Sequence, residues 1–312
     1  MSNEDGRPPT QDSQFGTEAH GPGAYRETVG RVTRVDADSP ISSTLRKTDN
    51  DLEALAFSLR KDAGMGFGLR RRARELASKA LEVVVFPQHE QYHWPEKAYT
   101  QRILKILDVD CVFDVGANRG QYGRWLRDLG FHGLIISFEP NPNAFAELEK
   151  HATDNWVCLP YALGAEEGDA RFNVMADDVF SSFRDPSGAA EYSAENTIVD
   201  TVTVPVKRLD TIFHDFEGRL TQPFLKLDTQ GFDLEVVKGA EDIISNFCGI
   251  VSEVAIKRLY AQSPTFEESS AVIARAGFEP AGMFSVNPYK TLSLVEMNAY
   301  FVRKDLVELD PL

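Results

Sequence analysis

The chain has no long apolar run. Its strongest apolar stretches, such as Val83-Val84-Val85-Phe86, are only a few residues long, whereas a membrane-spanning helix needs about 20. Excess positive charge is also missing: 33 Lys and Arg stand against 48 Asp and Glu in 312 residues, a formal net charge of −15. That balance argues against broad binding to a nucleic-acid backbone, which calls for clustered positive charge, and leaves room only for a local basic patch. Cysteine is scarce. Cys111, Cys158 and Cys248 sit in apolar, strand-like runs, the usual place for buried free thiols, and their odd number and spacing suit neither a disulfide framework nor a metal cluster. The opening residues MSNEDGRPPTQDSQ lack the basic and apolar regions of a secretory signal. These absences lead us to expect a reducing, cytoplasmic setting.

What is present is 42% apolar and 26% charged residues, enough for one large core and a small accessory domain. Residues 1–48 are rich in Gly, Pro, Ser, Thr, Asp and Glu without apolar periodicity, a composition expected to form a disordered leader. Residues 49–108 read as a helical cap. Leu52, Leu55, Ala56 and Leu59 share one face, Leu69, Ala73, Leu76, Ala80 and Leu81 another, and a third helix is predicted over Glu96–Leu107. Arg70, Arg71, Arg72 and Arg74 open the second helix, either as a solvated face or as a peripheral contact for an anionic glycolipid or membrane surface.

Over residues 109–312, β-branched runs alternate with amphipathic helices, which predicts an α/β domain: a parallel sheet with helices on both faces. Strands are predicted at 109–115, 133–139, 155–162, 223–228 and 249–255, with two closing strands between Phe278 and Arg303. Residues 170–206 interrupt the alternation with two extended segments around Ser181 and Ser182.

In such sheets, ligands bind beyond the carboxyl ends of the strands. The first strand ends in Asp114-Val115-Gly116-Ala117-Asn118-Arg119-Gly120, whose glycines permit a tight turn and close backbone approach. The second ends in Glu139, where an acid can accept hydrogen bonds from both ribose hydroxyls. A dinucleotide pyrophosphate asks for G-x-G-x-x-G with free amides. Here Asn118 replaces the second glycine, and the Asp114 carboxylate would disfavour a diphosphate. It would suit the ammonium of S-adenosylmethionine, the cofactor expected. A nicotinamide dinucleotide, or glycines that merely shape a turn, are the alternatives.

The sequence resembles the FkbM-type family of class I S-adenosylmethionine-dependent methyltransferases. The resemblance covers about residues 105 to 305. It rests on FDVGANRGQYG (113–123), SFEPNP (137–142), YALG (161–164), VKRLDTIF (206–213) and FLKLDTQGFDLEVVKGAE (224–241). It implies a Rossmann-like, seven-stranded, mostly parallel sheet with a reversed last strand. Asp114, Gly116, Ala117, Asn118 and Gly120 match the cofactor loop, and Glu139 matches the ribose-binding acid. There are two departures. Asp233 stands where the family has Glu, and Asn298 stands where an Asp is expected before the final strand.

The resemblance implies O-methylation of a hydroxyl, in a sugar of a glycan or glycolipid or in a polyketide-like product. A hydroxyl acceptor must lose its proton, which calls for a base or a stabilising cation. Asp228, ending the fourth strand, is the first candidate base, and Glu253, ending the fifth, is its expected neighbour. The two could hold Mg²⁺ or act without metal; no residue is assigned as a metal ligand. The spacing of His89 and His93 could suit a metal on a helix, but Pro87 argues for a loop there. Ser181, Ser182 and Tyr260 are the candidate substrate contacts, with Tyr289 as a further ring. Two rivals stand beside this reading: a nicotinamide-dependent oxidoreductase, against which the absence of a Tyr-x-x-x-Lys or His-acid pair counts, and a non-catalytic binding module that retains the fold.

Overall fold

The computed structural model describes residues 93–187, 196–286 and 293–307. The predicted leader, the first two cap helices, the arginine cluster, His89 and Tyr289 lie outside the described residues. Phe86–Leu312 forms one compact unit, and the third predicted helix belongs to it. That helix, α1 (Trp94–Ile106), carries Pro95 in its first turn, where a missing N–H leaves no hydrogen bond unmade. It buries Thr100, Ile103 and Leu104 at helical spacing. Tyr99 packs 5.2 Å from the Phe284 ring and 5.1 Å from the Tyr300 ring, so α1 lies against the sheet.

From there β1 (Cys111–Val115), α2 (Gln121–Asp128), β2 (Leu134–Phe138), α3 (Pro142–Leu148) and β3 (Trp156–Leu159) alternate. Next come β4 (Ala162–Leu163), β5 (Gly168–Met175) and β6 (Ile198–Lys207). The alternation then resumes with α4 (Leu209–Phe213), β7 (Pro223–Leu227), α5 (Asp233–Lys238), β8 (Gly249–Ala255), α6 (Phe266–Arg275), β9 (Phe278–Ser285) and β10 (Glu296–Arg303). The main sheet has seven strands in the order β3-β2-β1-β7-β8-β10-β9. β10 runs against both of its neighbours, and the other pairings are parallel. This is the Rossmann-like, mostly parallel sheet with a reversed last strand.

β1, β2 and β7 are buried along their whole length. Helices cover both faces, so both alternating sets of side chains are mostly apolar. Phe113, Ile136, Leu225 and Ile250 pack on one side, and Val112, Ile135, Phe224 and Val251 on the other. Cys111 and Cys248 are buried free thiols and Cys158 is partly so.

The structure differs from the sequence reading in the interrupted region. The third strand stops at Leu159 rather than 162, because Pro160 has no N–H to continue a ladder. Ala162–Leu163 instead joins a separate three-stranded sheet, β4-β6-β5, in which the two extended segments pair antiparallel. The residue pattern between β7 and β8 predicts a helix from Leu234 to about Ile244, but the helix ends at Lys238, with Gly239 as its cap. The pattern over residues 265–276 also predicts a helix, and α6 fits it closely, since Thr265 and Glu268 form a reciprocal capping box.

Candidate active site

The carboxyl ends of β1, β2 and β7 open onto a cavity of about 400 Å³, within the size range of small-molecule sites. Beneath it runs a buried polar chain across four adjacent strands. Trp156 Nε1 donates to Ser137 Oγ at 3.0 Å, and Ser137 Oγ donates to Asp114 Oδ2 at 3.1 Å. The other Asp114 oxygen meets Lys226 Nζ at 3.0 Å. Asp114 and Ser137 are fully buried and Lys226 nearly so. Lys226 also donates to the Gly116 carbonyl at 2.9 Å, and its Nζ lies 3.6 Å from Asp228 Oδ2. Burial alone would lower the lysine's pKa, but Asp114 and then Asp228 outweigh it and hold it above its ordinary value. Asp114, expected to face a ligand's ammonium, therefore faces Lys226 and does not line the cavity. A charge so deeply buried must be paired with an internal partner.

The loop after β1 has its amides occupied. Gly116 N and Ala117 N donate to the Phe138 carbonyl, and Gly120 N donates to Ala117 O. Asn118 N donates to Glu139 Oε2, and Arg119 N to Asn118 Oδ1. A diphosphate would need some of these donors free, and none from 116 to 120 is. Gly116 lies at φ +75°, and a Cβ there would sit 1.9 Å from the Asp228 carbonyl oxygen. The loop and β7 can close on each other only with glycine at this position. Gly116, Ala117 and Asn118 line the cavity; Gly120, at φ +80°, shapes the turn behind them.

Glu139 lines the same cavity. Its two oxygens accept from the Asn118 and Asn141 amides, each at 2.7 Å, and each oxygen keeps a further lone pair for a ligand hydroxyl. Burial pushes its pKa up to about 7, against the opposing pull of those two amides.

Asp228 ends β7 on the cavity wall, with its side chain 37% exposed. Gln230, at φ +55° in the turn that follows, bridges two acids. Its Nε2 donates to Asp228 Oδ1 and to Glu253 Oε2, both at 2.8 Å. Glu253 does not line the main cavity. Burial first, then Asp228 and Glu296, raise its pKa well above the ordinary carboxyl range, and burial lifts Glu296 to about 8. Mg²⁺ does not fit between Asp228 and Glu253. An amide donor occupies the position between them, bonded to one oxygen of each, where a hard cation would need oxygen ligands. Among the described residues, no group of three or more His, Cys, Asp or Glu could hold a metal ion. Asp233 turns away from the cavity, accepting from Thr229 and Ser252 and pinning the turn to β8.

The small sheet overhangs the cavity. Phe172, Asp178, Val179, Ser181 and Phe183 line it, and Asp178 is tied to the loop after β1 by Arg119 Nε at 3.0 Å. Of the three expected substrate contacts, only Ser181 reaches the cavity. Ser182 is fully buried, donating to Gln230 O at 2.8 Å and accepting from Arg184 N. Tyr260 is 2% exposed. Its hydroxyl proton lies between Gln230 Oε1 (2.7 Å) and the Phe180 carbonyl (2.9 Å), so this ring supports Gln230 and is not a stacking surface. Asn298 does reach the cavity, and its amide donates to Glu96 Oε1 at 2.9 Å.

Sequence reasoning missed Lys226, Gln230 and Glu96. Lys226 had a visible signal, a single charge inside the apolar strand PFLKL. Glu96 had none, since it sits outside the motifs on an ordinary amphipathic helix.

The fold and the family model together define an S-adenosylmethionine-dependent methyltransferase. The model of the family described as "Methyltransferase FkbM domain" matches residues 114–280, more than half of the chain, and the chain belongs to that family. No curated protein sequence matches it. Among solved structures it is similar to magnesium protoporphyrin IX methyltransferase from Synechocystis PCC 6803 with bound SAM, at 12% identity over 86% of this chain and 100% of that one, with a TM-score of 0.39. It is also similar to the plantazolicin methyltransferase BamL in complex with SAH (10% identity, 67% and 84% covered, TM-score 0.36). A third is a TehB-like SAM-dependent methyltransferase from Corynebacterium glutamicum (15%, 68% and 98%, TM-score 0.30). These likenesses are too loose to say anything of this chain's substrate. No helix among the described residues is long and apolar enough to cross a membrane.

Proposed function

We propose that the protein methylates a hydroxyl oxygen, with a sugar of a glycan or glycolipid, or a polyketide-like product, as the acceptor class. The observation that carries this reading is Asp228: an accessible carboxylate at the end of β7, beside a buried ammonium and facing the cavity. S-adenosylmethionine supplies a methyl on a sulfonium, open to in-line displacement, so positioning can meet much of the barrier. A hydroxyl must also give up its proton, which an amine need not do before attack. Gln230 occupies Asp228 Oδ1, leaving Oδ2 to take that proton, with Lys226 Nζ 3.6 Å from it. Glu139 is assigned to the ribose hydroxyls, and Gly116 to Asn118 to the backbone wall against the cofactor. Phe172, Val179, Ser181 and Phe183 form the wall left for the acceptor. The filled loop amides oppose the nicotinamide-dinucleotide alternative.

The test is transfer of labelled methyl from S-adenosylmethionine to polysaccharide, glycolipid and small-molecule fractions, comparing wild type with Asp228→Asn. Loss of general-base action typically costs 10²–10⁴-fold, and we expect a drop in that range with S-adenosylhomocysteine affinity retained. Full transfer by Asp228→Asn would remove Asp228 as base, and a product methylated on nitrogen or carbon would end the hydroxyl reading.

A further inference from the structure

Four carboxylates line the cavity: Glu96, Glu139, Asp178 and Asp228. Asp178 is paired with Arg119, and Asp228 lies 3.6 Å from Lys226 Nζ. Glu139 is bonded to two backbone amides at the ribose position. Asp114, the acid expected to meet an ammonium, is buried against Lys226. Glu96 differs from the paired acids. Its recorded partners are uncharged, Asn298 Nδ2 at 2.9 Å and Tyr300 Oη at 3.0 Å, and both fall on Oε1. Tyr300 is itself held by Thr100 at 2.7 Å, so the carboxylate is fixed from behind while Oε2 accepts neither bond. Burial raises the pKa of Glu96, the usual response of an acid removed from water.

Two further polar groups on the cavity wall have no hydrogen-bond partner among the described residues. Tyr122 Oη and Trp125 Nε1 are buried with no hydrogen-bond acceptor, on adjacent rings whose centroids are 5.1 Å apart. A buried donor left unsatisfied costs about 1–3 kcal/mol, so such groups point to an absent acceptor. One anionic acceptor and two unpartnered donors on the same cavity wall match the two ends of an α-amino acid.

We infer that Glu96 receives the ammonium of the cofactor's amino-acid end, with Tyr122 and Trp125 donating to its carboxylate. This assignment rests on the S-adenosylmethionine reading of the cavity. It moves the ammonium site from the loop motif to α1, outside the matched family segment. Asp114 becomes the counter-ion of Lys226, a positioning residue for the strand ends.

Calorimetry with two probes tests it: S-adenosylhomocysteine, which carries the amino-acid end, and 5′-methylthioadenosine, which lacks it. Losing a charge-assisted contact should weaken S-adenosylhomocysteine binding to Glu96→Gln by about tenfold or more. Methylthioadenosine affinity should stay at the wild-type value, and Tyr122→Phe should show the same split to a smaller degree. Thermal unfolding of each variant checks that the fold is retained. Unchanged S-adenosylhomocysteine affinity in Glu96→Gln, or an equal loss for both probes, would overturn the assignment while the methyltransferase reading stands. Wild-type protein that binds neither probe would remove that reading, and the assignment with it.

Discussion

Asp114 and Lys226 are register partners on the neighbouring parallel strands β1 and β7, and their side chains close a buried ion pair at 3.0 Å. The pair sits directly under the turn where the two strands diverge. Lys226 reaches from it to the Gly116 carbonyl, so one buried charge pair holds the cofactor loop against the end of the strand that carries Asp228.

Lys226→Met should therefore be costly. Removing one partner of a buried pair leaves the other charge uncompensated, typically about 3–5 kcal/mol. Urea unfolding should show a loss of that order. The double variant Asp114→Asn/Lys226→Met should recover much of it, since an apolar or neutral replacement of both charges can be nearly neutral. Equal stability of the single and double variants would mean that the two side chains are not energetically coupled.

Gly116→Ala and Gly130→Ala make a matched pair. Both glycines have positive φ, +75° and +87°, but a Cβ at Gly130 meets nothing within 4 Å, whereas at Gly116 it meets the Asp228 carbonyl at 1.9 Å. Gly130→Ala should lose only the left-handed strain of about 1–2 kcal/mol. Gly116→Ala should lose more stability and, in addition, S-adenosylhomocysteine binding, because the strand ends must separate. Normal binding by Gly116→Ala would show that the loop tolerates that separation.

Glu139 supplies a pH dependence. Its folded-state pKa is raised to about 7, above the ordinary value of about 4.3. The folded apoprotein therefore binds a proton more tightly than the unfolded chain. This contribution to stability is complete below about pH 4 and is lost as pH rises through about 7. A ribose binds as a donor to the ionised carboxylate, so S-adenosylhomocysteine affinity should run the other way, rising between pH 6 and pH 8. Glu139→Gln should flatten that rise. Calorimetry across the range reads both, and a wild-type affinity that is flat with pH would show that Glu139 does not titrate in the site.

Much of the fold was legible because its signals are local. A parallel sheet covered on both faces favours short, predominantly apolar strands, and CVFDV, LIISF, PFLKL and GIVSEVA carry that signal in most of their residues. The glycine loop and the acid after β2 were legible for a related reason, since backbone geometry at strand ends restricts which residues fit. The substrate candidates were less so. Ser181 and Ser182 are neighbours in sequence, yet one lines the cavity and the other is sealed beneath Gln230, because successive residues of an extended segment point to opposite sides.

The order of amino acids by itself determined the alternating α/β pattern, the turn after β1 and the absence of a spanning helix among the described residues, all of which follow from periodicity and backbone permissiveness over a few positions. Only the tertiary structure decided the state of each charge. Whether Asp114 meets a ligand or a lysine, whether Glu253 reaches the cavity, and whether Glu96 belongs to the site depend on groups that other strands and helices bring within a few ångströms. Electrostatic energy follows distance and burial in space, and neither is written in the spacing of residues along the chain.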